Sequence, residues 1–446
     1  KAYYGDVASV TAESPRRVKF TFKHGGNAEL PLIVSQLSII PKHYYEGRDF
    51  GATSLEPPLG NGPYKIGKIA PGRSIEYLRV PDYWGKDLPI NKGRFNFDKI
   101  SYEYFRDNDI ALEAFFGGNY DVRQENTAKL WAESYNAPAI KDGRIAKAEI
   151  PNQVPGGMQA FIYNIRRPVF QDARVRQALA YAFDFEWSNK QFAFGAYKRT
   201  ASYFSNSDLA SSGLPKGKEL EILEHYRGKI PDAVFTQEYA PPKTDGSGNN
   251  RANLKMAADL LDQAGYRLGP DGIRAKDGQK LAFEIIHGTP QFERWVMPFI
   301  KNLQRIGVKA TFRTIDTAQY QNRLNTFDFD MTIGSLAQSD SPGNEQREFW
   351  GSDKATMEGS RNLIGIQNPV IDAIIEDLIK AQTREDLIAH CRALDRVLLW
   401  NYYVIPQWHF PAWRLAWWSK LEKPEILSPL TPGITDTWWV KETKTP

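Results

Sequence analysis

Cysteine is almost missing from this chain. Its 446 residues include one, Cys391. That excludes an intramolecular disulfide and a cysteine-based zinc site. The surrounding stretch 386–394 has a helical apolar period, so the thiol reads as a small buried hydrophobe. A lone cysteine suits cytoplasm or periplasm and does not choose between them. Long apolar runs are missing too. The longest, 178–183, has six residues, and a transmembrane helix needs about 20. Charge excess is small: 57 Lys and Arg face 53 Asp and Glu. No basic block is long enough to track a phosphate backbone, so no nucleic acid partner is expected. The start, Lys1–Ala2–Tyr3–Tyr4–Gly5–Asp6, shows no charged segment leading into an apolar one, and no secretory leader is legible.

Catalytic signatures are absent as well. The chain has no His-Glu-x-x-His, no phosphate-binding loop, no Gly-x-Ser-x-Gly and no Gly-x-Gly-x-x-Gly. Its six histidines (His24, His43, His225, His287, His390, His409) stand singly, so neither a metal centre nor a cofactor is expected. Carboxylates are plentiful, and their number alone leaves a paired-carboxylate hydrolase open without locating it. The lack of motifs favours a binding protein over an enzyme.

What is present is an ordered, mixed α/β pattern. Hydrophobic residues make up 41%. A chain this long exceeds the about 250–300 residues that one core serves, so at least two lobes are expected. Residues 1 to about 150 read as short strands between turns. Arg17–Phe22, 73–80 and 99–105 alternate with period two. The stretch 107–116 reads as a short helix stopped by Gly117–Gly118. The texture changes at 151–157. An extended run, 158–164, precedes a helix that Asp172 caps and that aligns Val175, Leu179, Ala182 and Phe183 on one face. Helices at 253–264, 292–306 and Thr317–Asn325 then alternate with strands at 281–286, 308–315 and 329–333. That rhythm implies a parallel or mixed sheet with helices on its faces. A helical pair follows at 369–380 and Arg384–Trp400, and the chain turns extended at 402–406. The polar stretch 206–250 is too long to be structureless, and a short helix is expected near 218–226. Seven of the twelve tryptophans lie in the last 47 residues. They read as core or as the lining of a cleft.

The segment Phe161–Ile162–Tyr163–Asn164, continuing through Pro168, Phe170 and Asp172–Ala173–Arg174–Val175–Arg176–Gln177–Ala178–Leu179, resembles the signature of the family 5 extracellular solute-binding proteins. These are the oligopeptide and dipeptide receptors of ABC importers. Gly60–Asn61–Gly62–Pro63–Tyr64, Arg79–Val80–Pro81–Asp82–Tyr83–Trp84 and Gly118–Asn119–Tyr120–Asp121 resemble further family motifs. Thr200 to Ser207, Asp316 to Arg323 and Ser341 to Arg347 are similar to the YejA-type branch. The resemblance implies a two-lobe periplasmic-binding-protein fold of class II, cluster C type, with mixed sheets flanked by helices. It also implies a substantial segment ahead of Lys1, with a His-Asp-Gly motif. Lobe I is expected to comprise 1–157 and a return at 407–446, and lobe II 158–406.

A receptor for varied peptides has to grip what peptides share: the backbone, the terminal amine and the terminal carboxylate. By the resemblance, the first crossing 158–164 would pair its backbone with the ligand, with Gln159 and Phe161 facing it and Asn164 at its end. The second crossing would set Gln407, Trp408 and His409 at the cleft mouth. The loop after strand 329–333 carries Gln338, Ser339, Asp340 and Glu345. Asp340 is the first choice to hold a ligand amine and Glu345 the second. Tyr320 and Arg323 resemble positions flanking the ligand, and Arg323 would face a carboxylate. Gln291 and Phe292 stand where a helix N-terminus would favour negative charge.

The expectation is a monomeric, non-enzymatic periplasmic receptor. It would capture a peptide or modified peptide, a peptidoglycan-derived muropeptide included, and deliver it to an inner-membrane permease. The rival readings are a periplasmic hydrolase with an unrecognised carboxylate pair and a periplasmic sensor or chaperone module with no import role.

Overall fold

A computed structural model describes residues 4–52 and 54–441. The chain groups into two compact units. The larger holds Lys1–Ser35 and Val154–Pro411, and the smaller holds Gln36–Gln153 and Ala412–Pro446. The sequence reads 1–157 as one block; the grouping divides it after Ser35. Side chains give the reason. Asp6 pairs with Arg347 at 3.1 Å, Asn27 Nδ2 donates to Asn344 Oδ1 at 2.9 Å, and Ser341 Oγ donates to Glu29 Oε1 at 2.6 Å.

The larger unit is built on a five-stranded mixed sheet. Its strands are β1 (Met158–Tyr163), β2 (Ala282–His287), β3 (Lys309–Thr314), β4 (Met331–Leu336) and β5 (Val404–Pro406), ordered β3-β2-β4-β1-β5. Strand β2 runs parallel to β3 and β4, whereas β1 runs antiparallel to β4 and β5. Helices cover both faces. On one, Met158, Ala160 and Ile162 join a core with Ile371, Ile374 and Leu394 from helices Pro369–Ile379 and Arg384–Trp400. On the other, Phe161 packs against Phe183 and Phe299, with ring centroids 5.3 and 4.9 Å away. Period-two alternation along β1 makes this division. Cys391 lies fully buried in the first core, and burial pushes its thiol pKa well up.

The helices begin where their caps require. Asp172 accepts from Arg174 N, Asp316 from Gln319 N and Thr383 from Asp386 N, each filling a donor the first turn leaves empty. The long polar stretch holds helix Gly217–Glu224. It is tied down by buried charge. Arg396 pairs with Glu219 and donates to the carbonyls of Gly213 and Ser212, both at 2.8 Å.

The smaller unit has two three-stranded antiparallel sheets. One joins Tyr64–Ala70, Ser74–Arg79 and Lys99–Glu103; the other centres on Ala412–Trp418 between Val122–Gln124 and Ile145–Pro151. Helix Asn108–Phe116, capped by Asp107, buries Leu112 and Phe115 beside Tyr135, Ile145 and Ala416. Trp438 is fully buried against the half-buried Trp417, which makes Trp438 core. Among the described residues no helix is long and apolar enough to cross a membrane.

Candidate functional site

Both edges of β1 are occupied. Strand β4 pairs with it from Met158↔Leu336 to Tyr163↔Met331, and β5 pairs with Ala160, Phe161 and Ile162. The carbonyl of Gln159 accepts from Gln407 N at 2.8 Å. A strand inside a sheet has no ladder left to share. The expected backbone pairing of 158–164 with a ligand is therefore corrected. Phe161 is corrected too: it is fully buried among aromatic rings. Asn164 is a buried turn residue, its Nδ2 donating to the carbonyls of Phe327 and Phe329 at 3.0 and 2.8 Å.

Gln159 stands at the open end of the same face and is half-buried. Its Nε2 donates to Gln407 Oε1 at 2.9 Å. Gln407 is fully buried, and its own Nε2 has no acceptor. An unmet buried donor carries a desolvation cost of about 1–3 kcal/mol.

Trp408 follows inside an aromatic stack. Its ring lies 3.9 Å from that of Trp295 at 28° and 5.6 Å from that of Tyr197 at 22°. His409 Nδ1 meets Thr200 Oγ1 at 3.1 Å. Burial, helped by Lys198, lowers the His409 pKa, so the ring is neutral at pH 7. Phe292 sets its edge on His287 at 4.8 Å, and His287 also meets Tyr320 at 5.5 Å. The Tyr320 hydroxyl is held by Thr332 Oγ1 at 2.8 Å and the Ile333 carbonyl at 3.1 Å. Gln291 is exposed on the turn before helix Glu293–Arg305.

Three expected charges are already engaged. Arg323 donates from Nε to the Asp328 carbonyl at 2.7 Å and pairs with Glu284 at 3.5 Å, so it faces neighbours in its own unit and not a ligand carboxylate. The Asp340 side chain is 54% exposed and pairs with Arg384, which also holds Asp208. An exposed ion pair of this kind contributes little, so it engages Asp340 without deciding the ligand-amine expectation. Glu345 Oε1 accepts from Gly343 N at 2.9 Å and Gln346 Nε2 at 3.1 Å; it folds the loop back on itself. Ser339 is exposed. Gln338 Oε1 accepts from Gln346 Nε2 at 2.7 Å, and its Nε2 is buried without an acceptor.

One residue escaped the sequence reading. Arg199 pairs through its backbone with Trp408. Its guanidinium lies over Phe183 at 4.9 Å and Phe185 at 5.2 Å. All three of its nitrogens are buried without a hydrogen-bond partner. Burial pulls its pKa down to about 10, and Glu186, Tyr239 and Asp184 act against that at longer range. It therefore stays charged at neutral pH. The sequence held one hint: Arg199 precedes Thr200, Ser202, Tyr203 and Phe204, a run of small and aromatic residues that is buried throughout at those positions.

The site is thus rich in donors and built from the ends of β1 and β5 and the strand Lys198–Arg199. Residues 1–357 match the model of the bacterial extracellular solute-binding proteins, family 5 middle region. The chain belongs to that family. It is 45% identical over 98% of its length to the Probable peptide-binding protein YejA of Agrobacterium fabrum, covering 73% of that protein. It is 39% identical over 97% of its length to the Peptidoglycan-binding protein YepA of the same organism, covering 72%. Among solved structures, the oligopeptide-binding protein AppA of Bacillus subtilis, in complex with a nonapeptide, matches with a TM-score of 0.73 at 19% identity. That match covers 99% of this chain and 79% of AppA. The fold class implied by the sequence motifs, the class II periplasmic-binding-protein fold, holds.

Proposed function

We propose that this chain is the periplasmic peptide receptor of an ABC importer, which captures a peptide and passes it to an inner-membrane permease. The observation that carries this is the 45% identity, across nearly the whole chain, to a protein named as a probable peptide-binding protein. The unmatched donors of Gln407 and Gln338 agree with it, because peptides are rich in carbonyl acceptors. In this reading the larger unit is one lobe and the smaller unit belongs to the other, and the receptor acts as a monomer. Gln159, Gln338, Gln407, Trp408 and His409 are the ligand-facing candidates nearest the unmet donors, and Gln291, Phe292, Tyr320, Ser339 and Asp340 stay candidates beside them. The peptide part of peptidoglycan is included in the ligand class, given the relative named for peptidoglycan binding.

Native mass spectrometry of the complete protein purified from its own host tests the proposal. The expected result is a bound mass that fragments as a peptide or muropeptide. Calorimetry against tri- to pentapeptides should then show saturable heat with no turnover. Protein that carries nothing and gives no heat removes the reading, and hydrolysis of the peptide replaces it with the enzyme alternative.

A further inference from the structure

Around β1 and β5 the unmet side-chain groups among the described residues are donors, apart from the Tyr203 hydroxyl, which can also accept. Gln407 Nε2, Gln338 Nε2 and all three Arg199 nitrogens are buried donors without acceptors. No acid among the candidate site residues is spare, since Asp340 is held by Arg384 and Glu345 by Gly343 N and Gln346. Gln407 and Arg199 also share surroundings. Gln159, the partner of Gln407, faces the same side of β1 as Phe161, whose ring touches Phe183. Arg199 lies over that same Phe183. The Gln407 carbonyl accepts from Thr200 N at 3.2 Å, which ties the two segments together.

Aromatic faces attract a guanidinium but give it no hydrogen bonds. A buried cation without a carboxylate partner is costly, and the cost falls when an anion with two oxygens meets the planar fork. We infer that Arg199, supported by Gln407 Nε2, receives a carboxylate of the bound ligand, so that the larger unit recognises the acidic end of a peptide. This rests on the peptide-receptor reading. In a plain peptide the group is the C-terminal carboxylate.

The test compares two mixed-sequence libraries of tri- to pentapeptides, one with free C-terminal acids and one C-terminally amidated. Both are offered to the complete protein, stripped of ligand, and read by native mass spectrometry and calorimetry. Loss of a charge-assisted hydrogen bond in a buried setting predicts a preference for the acids of roughly 10- to 150-fold. Arg199→Met should erase most of that preference by weakening the acids and leaving the amides nearly unchanged. Arg199→Lys should restore part of it, because lysine keeps the charge but lacks the fork. The melting temperature of ligand-free Arg199→Met should hold or rise, since an unpaired buried cation has gone. Equal binding of the two libraries by the unaltered protein overturns the inference while leaving the peptide reading intact. Binding of neither library overturns the peptide reading and this inference with it. If Arg199→Met fails to fold, or loses acids and amides alike with a lowered melting temperature, Arg199 is structural and the assignment to it falls. Gln407→Leu then decides the rest: an unchanged preference for acids removes Gln407 as well.

Discussion

Strand β1 of the larger unit is buried at five of its six positions, while strand Lys99–Glu103 of the smaller unit is buried at none. The first reads as a nearly continuous apolar run, and the second alternates. A strand covered on both faces can be apolar throughout, and a strand with one open face alternates. The contrast extends beyond this pair. The sheet containing Lys99–Glu103 leaves Tyr102 49% exposed, and nearby segments leave Trp84 and Ile90 at 70% and 72%. In the smaller unit, the residues buried around Phe115 and Trp438 come from the second sheet, helix Asn108–Phe116 and the segments packed on them, such as Tyr135, Ala139 and Leu421. Period-two patterning thus sets which way side chains point, while the number of covering layers sets how much a side chain contributes to stability. The units should answer differently to the same substitution.

The largest expected difference is between two tryptophans. Trp350 is fully buried, meets Tyr203 at 5.2 Å and donates from Nε1 to Gln346 Oε1 at 2.9 Å. Trp350→Ala should destabilise the larger unit by about 3–5 kcal/mol through lost burial and an unfilled cavity. Trp84 is 70% exposed and donates to the Asn61 carbonyl. Trp84→Ala should stay within about 0.5 kcal/mol. Urea denaturation read by hydrogen exchange separates the units. Similar losses for both would mean that burial depth does not distinguish them.

A smaller effect comes from a buried acid of the larger unit. Asp395 accepts from Tyr203 N at 2.8 Å, Ser211 N at 3.0 Å and Ser211 Oγ at 2.6 Å. Burial raises its pKa to about 6, and those hydrogen bonds oppose the rise without cancelling it. The folded pKa lies above that of the unfolded chain, about 3.9. The proton is therefore held more tightly in the folded state. The stability this gives is fully present below about pH 4 and is lost as pH climbs through about 6, on the order of 2–3 kcal/mol in all. Asp395→Asn removes the titration. The stability difference between the original protein and the variant should shift against the original between pH 4 and pH 7. A difference that is flat with pH would mean that the hydrogen bonds cancel burial, and a shift in the opposite direction that they outweigh it.

The fold was legible because its signals are local. Asp172 reads as a cap from the sequence and caps its helix in the structure; Asp107, Asp316 and Thr383 cap theirs through the same kind of bond, within three residues. The site was less legible because its decisive contacts are distant in sequence. Arg323 is engaged by Glu284, 39 positions away, and Asp340 by Arg384, 44 positions away. Nothing near either residue reveals those partners. Phe161 and Gln159 share one strand face, and only the helix laid over that face decides that the first is core while the second stands beside an unmet donor. Arg199 shows the converse. Its importance is the absence of a partner, and a sequence does not display an absence in space.

The smallest expected effect should be the same in both units, and that is its use. A cap acts on the first turn of its own helix whatever lies on the far side. Asp107 accepts from Asp109 N at 2.8 Å and Ile110 N at 3.1 Å in the smaller unit. Thr383 accepts from Asp386 N at 3.1 Å in the larger. Asp107→Ala and Thr383→Ala should each cost about 1 kcal/mol, read as faster amide exchange in the first turn of the helix concerned. Asp107 also sets a negative charge at a helix N-terminus, worth about 0.3–1 kcal/mol at low ionic strength. Its loss should therefore shrink as salt is added, whereas the Thr383 loss should not. Asp107→Ser should recover the hydrogen bond but not the salt dependence. Matched losses in the two units would confirm that their contrast lies in packing and not in the helices themselves. A much smaller loss at Asp107 would show that helix Asn108–Phe116 is held mainly by Leu112 and Phe115, and that packing dominates in the smaller unit as well.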